Sequence, residues 1–324
     1  MLEINLYLCL NIQDNNNLKT IIMTKKNDKT LYIIGNGFDL AHKIPSAYKD
    51  FRNFMVSHVD FGNIVSTLEE LKNCFTPNFL WSDFENELGR ISPRQVFDYC
   101  YQINDSPAYL LSEDVHLEST FHLYNRLENA MRAWIDSLNI NCARRHFKIN
   151  PKDCFFITFN YTYTLEQVYN INDCRILHIH GKGIDPIFGH GEKDLPYRGM
   201  PENYYIRKYA DLAYDYAHLF FDHMKKNSKG CIYNSRKFFK KLKGIENIAI
   251  IGHSLGKSDY QYFKYLNKIL PNANWTYYYY TPDKHRNAYV KRFLLSTLQI
   301  PTTRFNLQRV ENLFLNRGKN RKKR

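Results

Sequence analysis

The 324-residue chain has no apolar run near the roughly 20 residues that cross a bilayer. Its apolar runs are short, as at Phe293-Leu294-Leu295 and Ile248-Ala249-Ile250-Ile251. This argues against a membrane protein. The N-terminus, MLEINLYLCLNIQDNNN, lacks a basic segment and a small-residue cleavage site, so no signal peptide is read there. No C-x-x-C pair occurs. The seven cysteines (Cys9, Cys74, Cys100, Cys142, Cys154, Cys174, Cys231) are odd in number and scattered, which argues against a zinc ribbon or a disulfide framework. Reduced thiols packed as small apolar groups in a cytoplasmic protein fit this usage. Carboxylates are scarce in the second half. Residues 163–324 hold 13 acidic and 29 basic residues, whereas residues 1–162 hold 19 and 16, within a formal net charge of +13. Such an imbalance points to an anionic partner: a nucleotide, nucleic acid or a membrane surface. At 44% hydrophobic and 15% aromatic, the composition excludes a disordered or fibrous chain.

Residues 1–29, rich in Asn and Lys with Met23 inside, read as a disordered extension. The first firm element is Leu31-Tyr32-Ile33-Ile34, a continuous apolar run ending at Gly35, as a buried parallel strand should look. Similar runs predict strands over 154–159, 175–180, 248–251 and 275–280. Helices are predicted at about 259–270 and 285–298, and helical insertions at about 61–147 and 201–243. Alternating strands and helices predict an open parallel Rossmann-like α/β sheet, helices on both faces, within one domain over 30–316. The tail, 317–324, is basic and reads as disordered.

Four stations at strand ends could carry chemistry. Gly35-Asn36-Gly37-Phe38-Asp39 follows the first strand, where glycines let backbone amides approach a phosphate; Leu40 stands where a third glycine would complete the dinucleotide motif. A tight turn without a ligand is the plainer alternative. Asn160, in Phe159-Asn160-Tyr161-Thr162, could orient a ribose hydroxyl or a water, or cap a helix. His178 and His180 share a strand face before Gly181, with His190 nearby; a single histidine base fits better than a metal triad, and no metal is expected. Gly252-His253-Ser254-Leu255-Gly256 matches the nucleophile elbow of serine hydrolases, with Asp259, Asp283 and His285 as downstream triad candidates; the alternative is a ribose or phosphate loop using Ser254 and Asp259. Trp81 and Phe84 in WSDFENEL read as core, while Glu85 either faces solvent or reaches the pocket. Tyr277-Tyr278-Tyr279-Tyr280 reads as a filled strand rather than a base-stacking surface.

Taken in order, the strings LYIIGNGFDLAHKIPSAYKDF (31–51), WSDFENEL (81–88), FITFNYTYTLE (156–166), HIHG (178–181), IFGHG (187–191) and IGHSLGKSDYQYF (251–263) resemble the bacteriophage abortive-infection AbiH family. That resemblance implies an effector of bacterial defence against phage. The station order is also similar, more distantly, to a sirtuin NAD site. Gly35-Asn36-Gly37, Lys43-Ile44-Pro45, Asn160, His180-Gly181 and Gly252-His253-Ser254-Leu255 stand where that family has its glycine loop, its G-I-P segment, its Asn, its His-Gly and its G-T-S-L. The four-cysteine zinc module of sirtuin deacylases is missing, which leaves NAD cleavage, with NAD as substrate, as the implied chemistry. On that reading Asn160 and His180 are catalytic, and Gly35, Asn36, Gly37, Asp39, Gly252, Ser254 and Asp259 hold the nucleotide. The rival readings are a nucleotide-sensing or nucleic-acid-binding defence protein without hydrolase activity, and a serine hydrolase. The basic second half and tail leave a nucleic-acid contact open, and self-association is open too.

Overall fold

The computed structural model describes residues 29–73, 80–104, 122–141, 143–149, 154–183, 185–196, 204–280 and 283–315. The extension before Lys29 and the basic tail lie outside the described residues. The chain begins with strand β1 (Thr30–Ile34) and enters a series of helices: α1 (Asn36–Ala41), α2 (Tyr48–Ser57), α3 (Gly62–Asn73), α4 (Phe84–Leu88), α5 (Pro93–Asn104) and α6 (Leu123–Ser137). It returns to the sheet as β2 (Cys154–Thr158), α7 (Thr164–Tyr169) and β3 (Ile176–His178). A second helical excursion, α8 (Tyr204–His223), α9 (Ser228–Asn234) and α10 (Arg236–Lys241), leads to β4 (Asn247–Ile251). The rest is α11 (Tyr260–Ile269), β5 (Asn274–Tyr279), α12 (Lys284–Arg292) and β6 (Phe305–Arg309).

The six strands form one sheet in the order β3-β2-β1-β4-β5-β6, with every pairing parallel. This is the doubly wound Rossmann order, and it makes β1 and β4 the pair from which the chain winds outward in both directions. Alternate residues of each strand feed different cores. Leu31, Ile33, Ile157, Ile248 and Ile250 pack with Phe238, Phe263 and Leu266 on one face. Ile34, Phe156 and Ile251 pack with Phe38, Phe147, Leu165 and Tyr169 on the other. Apolar side chains on both faces explain why β1, β2 and β4 read as continuous apolar runs rather than as alternating ones. The tyrosine run behaves as a filled strand: Tyr277 is buried in the first core, and Tyr278 and Tyr280 lean on the second.

The first excursion has its own core. Phe51, Leu68, Phe84, Leu127, Met131 and Trp134 are buried together, and α8 joins them through Ala213, Ala217 and Phe220. Trp81 stacks on Phe84 with ring centroids 5.4 Å apart, so both pack as expected. Tyr161 and Phe188, from the ends of the sheet, belong to the same cluster. The helical layer is therefore seated over the C-terminal ends of β2 and β3.

Three elements differ from the sequence expectation. β3 stops at His178, because the chain turns at Ile179-His180. The final helix leaves α-geometry after Arg292 and finishes in a wider π turn over Phe293–Thr297. Strand β6 was not anticipated: Phe-Asn-Leu-Gln-Arg is only partly buried at the sheet edge, so it carries no continuous apolar signal. Among the described residues, no helix is long and apolar enough to cross a membrane.

Candidate active site at the strand ends

The loops after β1 and β4 meet at the switch point of the sheet. Gly35 N–H donates to Ile251 O at 3.0 Å and Gly37 N–H to Gly252 O at 2.9 Å. A Cβ on Gly35 would lie 2.5 Å from the His253 Cα. Gly252, at φ +68°, would put a Cβ 2.4 Å from the Phe38 amide nitrogen. These glycines let two backbones touch, and the amides of Gly35 and Gly37 are spent on that contact.

Beside this contact, between the ends of β1 and β2, lies a small chamber of about 60 Å³ lined by Asn36, Asp39, Tyr48, Phe159, Asn160 and Thr162, among others. It shares Leu138, Tyr161 and Thr162 with a larger open cleft of about 390 Å³, whose far wall includes Asn139, Tyr163, Gln167 and Gly183. Asp39 is fully buried. Its Oδ2 accepts from the Thr162 hydroxyl at 2.6 Å and its Oδ1 from the Thr164 hydroxyl at 2.9 Å. Burial pushes the Asp39 carboxyl up to about 6, against the opposing pull of hydrogen bonds from Thr162, Thr164 and Asn160. The Asn160 side-chain amide also donates to Gly35 O at 3.2 Å, which ties the end of β2 to the β1 loop. Asn36 accepts from the Ser46 hydroxyl.

A second polar cluster lies under the seam between helical layer and sheet. Lys226, with no exposed side-chain surface, donates to Glu85 Oε1 at 2.8 Å and Oε2 at 2.9 Å. It also lies 3.3 Å from Asp259 Oδ1. Asp259 contacts His180 Nε2 at 3.1 Å and His253 Nε2 at 3.4 Å. Tyr48 and Ser258 hydroxyls donate to Glu85 at 3.1 and 2.9 Å. Lys226 and His180 hold the Asp259 carboxyl well below the usual carboxylate range, overcoming its burial. Burial and the adjacent ammonium push His180 down, so its ring is neutral at neutral pH. His180 Nε2 lies 3.4 Å from the Lys226 ammonium and closer to Asp259, and the shorter contact places the imidazole proton on Nε2, donated to the carboxylate. The same holds for His253, whose Nδ1 accepts from the Leu255 amide at 2.8 Å.

The sequence-derived residues thus fall into three places. Asp39, Asn36 and Asn160 line the chamber. Gly35, Gly37 and Gly252 form the closed backbone contact. His180 and Asp259 sit in the ion network, which meets the chamber at Phe159, whose ring lies 4.8 Å from that of His180, and at Tyr48, whose hydroxyl donates to Glu85. His178 and His190 have partners of their own: Glu166 at 2.7 Å and Phe221 O at 2.8 Å. Among the described residues, no three His, Cys, Asp or Glu side chains are grouped so as to hold a metal. Ser254 is exposed, with its carbonyl accepting from Arg286. Asp283 caps α12 by accepting the amides of His285 and Arg286. The triad geometry of a serine hydrolase is not assembled there.

A family model described as bacteriophage abortive infection AbiH matches residues 31–279. The chain belongs to the AbiH family. The match runs from β1 to the end of β5, so chamber, cleft and ion network all lie within the AbiH unit. Family membership supports an abortive-infection role in defence against phage. Comparisons with curated proteins and with solved structures returned no match.

Sequence reasoning gave no role to Lys226, which stands in the run Lys225-Lys226-Asn227-Ser228-Lys229 with nothing local to separate it from its neighbours. Glu85 and His253 were visible in their motifs, but not as partners. The one available signal was indirect: Glu85 follows Phe84 directly in WSDFENEL, and an acid carried into the core beside it needs a buried counter-charge.

Proposed function

We propose that this AbiH-family chain acts in the cytoplasm of the infected cell by hydrolysing NAD at the nicotinamide–ribose bond. The observation that carries the reading is Asp39: a fully buried carboxyl raised to about 6, facing a chamber at the strand ends of a Rossmann-type sheet. Titratable groups shifted by burial inside a cavity are where catalytic acids and bases are found. The cleft, at about 390 Å³, falls in the volume range of nucleotide-sized sites. By the room one water needs, the chamber beyond it holds about four waters, space for a reacting end and not for a whole dinucleotide. NAD would therefore lie along the cleft and present its nicotinamide–ribose bond to the chamber.

The chemistry asks little of an acid. As the C–N bond breaks, its electron pair passes to the pyridinium nitrogen, and nicotinamide leaves neutral without a proton. What needs help is the oxocarbenium character left on the ribose and the water that adds to it. An ionised Asp39 stabilises that cation electrostatically in a water-poor site, then takes the proton of the water adding to the anomeric carbon. Asn160 holds a ribose hydroxyl and, through its donation to Asp39, keeps the carboxylate aimed. The products are nicotinamide and ADP-ribose. His180 acts at one remove, by fixing Asp259 and the Phe159 wall.

Both Asp39 oxygens already accept threonine hydroxyls, which favours one second reading: a cleft and chamber that together hold a nucleotide without cleaving it. Incubating the purified chain with NAD and quantifying nicotinamide and ADP-ribose separates the two. Hydrolysis gives both in equal amounts, with release lowered at least about 100-fold in Asn160→Ala. Intact NAD retained by the protein with no nicotinamide released means a sensor.

A further inference from the structure

Residues 223–282 contain eleven lysines and arginines but only two carboxylates, Glu246 and Asp259. Asp259 is buried and already paired with Lys226. Helices α9, α10 and α11 carry no Asp or Glu at all. Their folding sorts the charge onto one side. Phe238, Phe239 and Leu242 of the α10 segment, with Tyr262, Phe263 and Leu266 of α11, turn into the sheet core. The helical period then leaves Lys237, Lys240, Lys243, Lys264 and Lys268 exposed on the opposite side. α9 packs against both α10 and α11, so the three helices present one continuous surface. At its edge Tyr233 is 66% exposed, and the Arg236 guanidinium lies 4.4 Å from its ring centroid.

We propose that this α9–α10–α11 face is a nucleic-acid-binding surface that grips phosphates with its lysines. It lies apart from the chamber and does not depend on NAD cleavage. A cluster of cations without interleaved acids is well suited to a polyanion. An exposed tyrosine beside an arginine offers a stacking platform to an unpaired base. The apolar side chains of α10 and α11 turn inward, which favours nucleic acid over an anionic membrane.

The test compares two charge reversals in the full chain. Lys237→Glu/Lys240→Glu/Lys243→Glu alters the face; Lys284→Glu/Lys291→Glu/Arg292→Glu alters exposed positions of α12 by the same net charge. Binding is read by fluorescence anisotropy with labelled duplex DNA, single-stranded DNA and single-stranded RNA between 50 and 200 mM salt, roughly the span over which phosphate contacts separate clearly. With four or five phosphates engaged, the wild type should show a log–log salt slope of about −4. The face variant should bind at least about 30-fold more weakly, with the slope reduced by about 3, while the α12 variant stays within about threefold of wild type. The three oligonucleotides show which nucleic acid is preferred. Equal weakening in both variants, or no nucleic-acid binding by wild type, would overturn the proposal.

Discussion

Replacing Lys226 by methionine removes one cation from between two buried carboxylates and keeps its shape. Lys226 reaches both oxygens of Glu85 and one of Asp259, all within 3.3 Å. Removing one partner of a buried ion pair costs about 3–5 kcal/mol, because the remaining charge stays desolvated. Here Glu85 keeps the hydroxyls of Tyr48 and Ser258, and Asp259 keeps two imidazole N–H groups. The lower end therefore applies: about 3 kcal/mol, or a fall in Tm of roughly 4 °C for a chain of this size. The loss should depend on pH. In the wild type the Asp259 carboxyl is held well below its ordinary range, so its contribution is present above the unfolded-state value and lost only as pH falls through the folded one. Without Lys226, burial pushes that carboxyl upward instead. The gap between wild type and Lys226→Met should then be widest near neutrality and narrow on acidification. Adding Glu85→Gln should recover part of the loss, since one stranded charge disappears. Urea midpoints measured at several pH values, with unchanged slopes, give the answer. A loss under about 1 kcal/mol that stays constant with pH would refute a dry ion network between helical layer and sheet.

Asp39 and Gly252 give two further tests. Because burial raises Asp39 to about 6, the folded state binds this proton more tightly than the unfolded chain; its contribution to stability is greatest below about pH 4, falls by about 3 kcal/mol up to about pH 6 and is flat above. Asp39→Asn should erase that fall, seen in urea midpoints against pH. Gly252→Ala combines a left-handed backbone with a Cβ 2.4 Å from the Phe38 amide, and should cost about 3 kcal/mol or more in thermal unfolding.

The sheet was readable because burial on both faces writes apolar runs into β1, β2, β4 and β5, and each run ends near a glycine or a polar turn. β6 was hidden because a half-exposed edge strand needs no such run. The chamber was partly readable: Asp39 and Asn160 stand at strand ends, where ligands of this fold class bind. Their division from His180 was not, since it depends on where Lys226 lands. A buried lysine satisfied by partners 141 and 33 residues away leaves no local pattern. The glycine loops looked like a phosphate cradle, because close backbone approach demands glycine whether the neighbour is a phosphate or another loop.

Nicotinamide release from NAD, followed against pH, decides whether Asp39 serves bond cleavage in the chamber. Wild type should release nicotinamide at a rate that climbs through about pH 6, as Asp39 ionises, and then levels off. Asp39→Asn should release it at least about 100-fold more slowly across that range. No release by wild type at any pH, or an Asp39→Asn variant as fast as wild type, would contradict that role.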